Sequence, residues 1–190
     1  DPENRRLLKV TIPEYAEEET DQVIGQLMGR DASLRFDFIM SNAADRYGPL
    51  IAWTIDDSEF DVKLNQRILP RSGALGHVHG FHSAQDALDE LRALADFPHV
   101  IFLDIMMPIK NGFDFLSEAS EEFGQTFTST VVMMLTSSLN PADRAKAEAF
   151  DAVQGFLTKP LTIHDSQQVA TKAADILCVD PSDKSRATSA

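Results

Sequence analysis

Four apolar runs in this chain each stop at a residue able to do chemistry. Asp56-Asp57 follows the run at 50–55, and Asp104 ends Val100-Ile101-Phe102-Leu103. Thr136 follows the run at 131–135, and Lys159 follows the segment at 153–158. A short, wholly apolar run reads as a strand buried on both faces of a parallel sheet. Ligand sites in open α/β sheets lie beyond the carboxyl ends of such strands, so the four endings should converge on one rim. After Asp104 come Ile105-Met106-Met107-Pro108 and then Gly112; the proline stops the strand and the glycine releases the loop. Clustered carboxylates repel one another, and a hard divalent cation with oxygen ligands relieves that repulsion. Mg²⁺ suits the role, because it takes a few carboxylates, keeps waters and bridges to phosphate oxygens. Asp104 is then a candidate nucleophile toward a phosphoryl group. The cation and the Lys159 ammonium would neutralise the transferring oxygens, and the Thr136 hydroxyl would donate to another of them.

The elements that must position these residues alternate strand and helix from Pro49 to Cys178, with short connections. Ser58 predicts a helix N-terminus with Asp61 at the capping-box position, and Phe60, Leu64, Ile68 and Leu69 on the inner face. Residues 76–82 read weakly as a strand, within which His77 and His79 share a face; lacking a further ligand, they read as solvated edge-strand residues. Ser83 with Asp86 opens a second helix carrying Ala84, Ala87, Leu88, Leu91 and Ala95 at helical spacing. A third helix is expected around 113–123. Asn140-Pro141 starts a fourth, with Asn as cap and Pro in the first turn. Thr162 with Asp165 begins a last one. Such alternation implies a parallel sheet covered by helices on both faces.

The 190 residues suit one ordinary domain, with or without an appendage, and a composition 43% hydrophobic and 25% charged suits a packed core. A net charge of −13 argues against direct binding of nucleic acid, which needs clustered Lys and Arg. Cys178 is the single cysteine, so neither a disulfide framework nor a cysteine metal site is expected, and a cytoplasmic location follows. No apolar stretch approaches the ~18 to 20 residues that span a bilayer. The charged opening, Asp1 to Arg6, is unlike a secretory signal. Residues 1–48 break the strand–helix rhythm. They offer a strand at 7–12, a helical stripe from Ala16 to Met28 and an uncertain segment at 34–40, too little to bury a core alone. The Ser-, Asp- and Lys-rich end, 179–190, is expected to be disordered.

Residues 49–178 resemble a response regulator receiver domain of two-component signalling, of the chemotaxis-regulator type. The resemblance rests on Asp56-Asp57, on Leu103-Asp104-Ile105-Met106-Met107-Pro108 with Gly112, on Leu135-Thr136-Ser137-Ser138, and on Phe156-Leu157-Thr158-Lys159-Pro160. Each piece alone is weak; in order, each at a strand end, they are specific. The resemblance implies a flavodoxin-like fold, a five-stranded parallel sheet in the order 2-1-3-4-5. It implies Asp104 as phospho-acceptor, and Mg²⁺ held by Asp57, Asp104 and the Met106 carbonyl, with Asp56 acting through water. Thr136, Ser137 and Lys159 would grip the phosphoryl group, Phe156 would stand at the switch-aromatic position, and Lys159-Pro160 would be a cis peptide. The implied partners are a histidine kinase or histidine phosphotransfer protein and a downstream protein target. The output face would be built by the last two helices and the strand ending at Lys159, with a homodimer as a further option. No effector domain is expected after the last helix, nor more than weak autophosphorylation or autodephosphorylation. Met106 and Ser138 would influence the latter.

A second resemblance covers residues 1–43. Asp1-Pro2-Glu3-Asn4-Arg5-Arg6-Leu7-Leu8-Lys9-Val10-Thr11-Ile12, Leu27-Met28-Gly29, Arg35-Phe36-Asp37-Phe38-Ile39 and Asn42-Ala43 resemble the C-terminal tail of the B subunit of bacterial type II topoisomerases. That family's catalytic residues lie outside the matched stretch, so no topoisomerase activity is expected. Two rivals stand beside the signalling switch. One is an interaction module that keeps the fold without phosphorylation, against which the intact acidic pair, Thr136 and Lys159 argue. The other is a hydrolase with Asp104 as covalent nucleophile; such phosphatases place a second acid two residues later, where this chain has Met106.

Overall fold

The computed structural model describes residues 49–178 apart from 74, 95, 138 and 139. The proposed extension at 1–48 and tail at 179–190 lie outside the described residues. Five parallel strands form one sheet in the order β2-β1-β3-β4-β5: β1 (Leu50–Ile55), β2 (Leu75–Phe81), β3 (Val100–Asp104), β4 (Val131–Thr136) and β5 (Val153–Thr158). β3 and β4 are buried at every position, as their unbroken apolar runs require, whereas the edge strands β2 and β5 are only partly covered.

Six helices are described: α1 (Glu59–Ile68), α2 (Ala84–Ala93), α3 (Gly112–Phe123), a single turn α4 (Gln125–Thr128), α5 (Pro141–Ala147) and α6 (Ile163–Cys178). α2, α3 and α5 share one face of the sheet with Trp53, Ile55, Ile101, Leu103 and Met134. α1 lies on the other face, where Asn65 Nδ2 donates to Thr54 Oγ1 at 3.0 Å. α6 is tied to the turn after α1 by Ser166 Oγ donating to the Leu69 carbonyl at 2.8 Å. Among the described residues no helix is long and apolar enough to cross a membrane.

Each long helix begins where its side chains can satisfy orphaned backbone donors. Ser58, Ser83 and Asn140 cap α1, α2 and α5. Asn111 and Asp114 make a reciprocal capping box on α3, and Thr162 with Asp165 does the same at α6. The inner face expected of α1 needs correction. Phe60 is 72% exposed, Leu64 and Ile68 are half-buried, and the buried positions are Val62, Asn65 and Leu69. Asn65 points inward because Thr54 supplies a hydrogen-bond partner, which removes most of the cost of burying an amide. Val62 packs close to the sheet because Gly80 lies beneath it, where a Cβ would come within 2.4 Å of Val62. The turn of 3₁₀ helix at Leu69–Ser72 and the single turn α4 carry no signal of apolar period and were not expected.

Candidate metal and phosphoryl site

The sheet reverses its winding between β1 and β3, and the crevice at such a switch point is where open α/β sheets hold ligands. Ile55 pairs with Leu103, so the residues that follow, Asp56 and Asp104, stand side by side at the carboxyl ends. Asp56 is fully buried, Asp104 is 5% exposed, and Asp57 is exposed. One carboxylate oxygen from each lies within 4.8 Å of the others.

The backbone around Asp104 is closely held. Ile105 N–H donates to the Leu135 carbonyl at 3.1 Å, and Gly112 N–H returns to the Ile105 carbonyl at 3.0 Å. A Cβ on Gly112 would lie 2.4 Å from the Asp104 carbonyl oxygen, so only glycine lets α3 start this near the carboxylate. The Met106 side chain is 76% exposed. Ile109, in the same loop, adopts a left-handed φ of 69° and is fully exposed. For a β-branched residue that conformation is strained.

Lys159 reaches into the crevice from the far side of the rim. Its Nζ lies 2.6 Å from Asp56 Oδ2, 3.2 Å from Asp104 Oδ2 and 3.5 Å from Asp61 Oδ2. Its backbone N–H donates to the Thr136 carbonyl at 2.9 Å, and the Lys159–Pro160 peptide is cis. Burial raises the pKa of Asp56 above the ordinary aspartate value, and Lys159 offsets only part of this. Asp104 is raised likewise, by burial first and by the Asp56 charge as well, with Lys159 opposing. Burial opposes the ammonium of Lys159, but Asp56 and Asp104 outweigh it, so its pKa stands above the ordinary lysine value.

These residues fit a divalent cation. Three carboxylates converge, and the one ammonium that contacts two of them, Asp56 and Asp104, also contacts Asp61, so negative charge stays in excess. Asp56 Oδ2 is buried without an aligned hydrogen bond, and its contact with Lys159 is an ion pair alone. All the side-chain donors are oxygen, the preference of hard cations.

Thr136 ends β4, 7% exposed, and Ser137 beyond it is exposed. Thr136 and Phe156 line one cavity of about 240 Å³ together with Ile105, Asn140, Pro141, Asp143 and Arg144. Phe156 is half-buried, with the Arg144 guanidinium 5.7 Å from its ring centroid. His77 and His79 are exposed on the edge strand β2, their rings edge-on at 4.4 Å.

Residues 53–171 match the family described as the response regulator receiver domain. The chain belongs to that family. Receivers of this kind are phospho-acceptors with weak intrinsic phosphorylation and dephosphorylation activity. This receiver is 34% identical over 109 residues to Protein PilG of Pseudomonas aeruginosa, covering 57% of this chain and 75% of that protein. It is similar to a two-component response regulator from Cytophaga hutchinsonii at 29% identity and a TM-score of 0.62, covering 67% of this chain and 98% of the other. A response regulator receiver protein from Dyadobacter fermentans matches at 32% identity and a TM-score of 0.58, covering 65% and 96%. Nothing in these comparisons supports the topoisomerase-tail resemblance of residues 1–43, which lie outside both the described residues and the matched family span.

Sequence reasoning named every residue of this crevice except one. Asp61 was read only as a helix-capping acid, yet its carboxylate also contacts the Lys159 ammonium. Its place in the first turn of the helix that starts at the Ser58 cap, just past the Asp56-Asp57 pair, was the available signal.

Proposed function

We infer that Asp104 accepts a phosphoryl group from a phosphohistidine on a histidine kinase or phosphotransfer protein, and that Mg²⁺ is the cation required. The observation that carries this reading is the convergence of Asp56, Asp57 and Asp104 on one crevice with the Lys159 ammonium beside them. A carboxylate oxygen of Asp104 attacks phosphorus. The P–O bond forms as the P–N bond breaks, and the electron pair leaves with the donor imidazole. When bound, Mg²⁺ supplies positive charge to the phosphoryl oxygens; Asp57, Asp104 and the Met106 carbonyl would hold it, with Asp56 acting through water. Lys159 offers its ammonium to the same oxygens, and Thr136 offers its hydroxyl.

The consequence is a shift of conformation. A phosphoryl group on Asp104 draws Thr136 and the segment after it inward, and Phe156, which lines the same cavity, turns in. The face formed by α5, β5 and α6 then reads differently to a protein partner. Ser137 lies at the edge of this rearrangement.

The test is labelling with acetyl phosphate and Mg²⁺. Wild-type protein should incorporate one acid-stable, base-labile acyl phosphate, and Asp104→Asn should incorporate none. Equal labelling of the variant would reject the assignment. A wild-type protein that stays unlabelled yet binds a partner would point to the non-phosphorylated interaction module.

A further inference from the structure

The Lys159 ammonium faces three carboxylates, and Asp61 is the one outside the group of oxygens that converge for a cation. The backbone delivers it there. Ser58 N–H donates to Asp56 Oδ1 at 3.0 Å, and the Ser58 hydroxyl accepts from Asp61 N–H at 3.3 Å. One residue therefore fixes the Asp56 carboxylate and starts the helix turn that carries Asp61. The side chains of Asp61 and Lys159 are 27% and 18% exposed, so solvent screens their attraction only partly. An acid in a first helical turn is favoured by the helix dipole wherever it points; contact with the ammonium of the site is an additional property.

We propose that Asp61 is a positioning residue that competes with the phosphoryl group for Lys159, slowing phosphoryl acceptance while strengthening cation binding. This rests on Asp104 being the acceptor. A divalent cation on Asp56, Asp57 and Asp104 offsets their charge and loosens the hold of Asp56 on the ammonium. Asp61, outside that group, still contacts the ammonium and becomes the main rival of the incoming oxygens. Its charge also repels an anionic donor while attracting the cation. Removing it therefore moves two observables in opposite directions, whereas a merely structural role would depress both or neither.

The experiment uses the full chain with Asp61→Asn and Asp61→Glu. Mg²⁺ affinity is measured by calorimetry on unphosphorylated protein, and initial labelling by acetyl phosphate is measured at saturating Mg²⁺. For Asp61→Asn the Mg²⁺ dissociation constant should rise roughly two- to fivefold while the saturated labelling rate rises by a similar factor, an effect of one partly screened charge. Asp61→Glu, which keeps the charge, should stay near wild type in both. A saturated rate at or below wild type, or an unchanged Mg²⁺ affinity, would overturn the proposal. If wild-type Asp104 is not labelled, the reading beneath it falls too. If it is labelled and the split is absent, only the role of Asp61 falls.

Discussion

Asp56 and Asp104 are carboxylates kept in the crevice against their own preference. Burial raises both pKa values, and one lysine shared with Asp61 does not restore them. The sign of the linkage follows. An acid whose folded pKa lies above its unfolded value favours the fold below the unfolded pKa, and that contribution is lost as pH rises through the folded one. Metal-free protein should thus lose stability on going from acid toward neutral pH through the window just above the ordinary aspartate range. Lys159, raised in its turn, keeps its charge throughout and does not alter that direction. In EDTA at pH 7, Asp104→Asn should be more stable than wild type, because a neutral amide spares the fold the cost of burying that charge. It should also flatten part of the pH dependence. Urea denaturation at several pH values measures this, and a variant no more stable at neutral pH would contradict the account.

The start of α3 sets the loop that follows Asp104, by two different means. Asn111 satisfies the first turn: its Oδ1 accepts from Phe113 N–H at 2.8 Å and from Asp114 N–H at 3.1 Å. Gly112 gives room, its α-carbon being so close to the Asp104 carbonyl that a methyl group cannot fit. The substitutions should therefore part company. Asn111→Ala should cost about 1 kcal/mol, a lost cap, and keep labelling near wild type. Gly112→Ala should cost roughly 2–3 kcal/mol, as overpacking against rigid backbone does, and should also slow labelling several-fold because Asp104 moves. Chemical denaturation alongside acetyl-phosphate labelling separates the two; a Gly112→Ala protein that labels normally would show that the close approach is dispensable.

For the molecule as a whole, a cation that binds the folded crevice and not the unfolded chain must stabilise the fold by mass action. At a hundredfold excess of Mg²⁺ over its dissociation constant the gain should be about 2.7 kcal/mol, visible as a rise in Tm. Asp57→Ala, which removes an exposed member of the oxygen set, should shrink that rise while leaving the metal-free Tm almost unchanged. A metal-indifferent Tm in the wild type would count against the cation site. The stabilisation is global because the crevice joins β1, β3 and β5 across most of the sheet's width.

Much of this was legible in the chain itself. The buried strands announce themselves as apolar runs, their endings are single residues, and helix caps such as Ser58, Ser83 and Asn140 act within three residues; all of these signals are local. So the sequence alone determined the order of elements, the sheet class and the identity of Asp56, Asp57, Asp104, Thr136 and Lys159 as the residues of one rim. The rotation of α1 was not legible, although Leu69 just after it was read correctly as buried, because Val62 and Asn65 face inward through a fit to Thr54 and Gly80 that lie outside the helix. Nor was the full set of carboxylates that Lys159 reaches, Asp61 among them. Strands stand about 4.8 Å apart, which puts β5 roughly 14 Å from β1, yet the ammonium sits 2.6 Å from Asp56 and 3.5 Å from Asp61. Only the tertiary structure decided which carboxylates share that one cation, because a long side chain crossing a rim obeys packing and charge, not the spacing of residues along the chain.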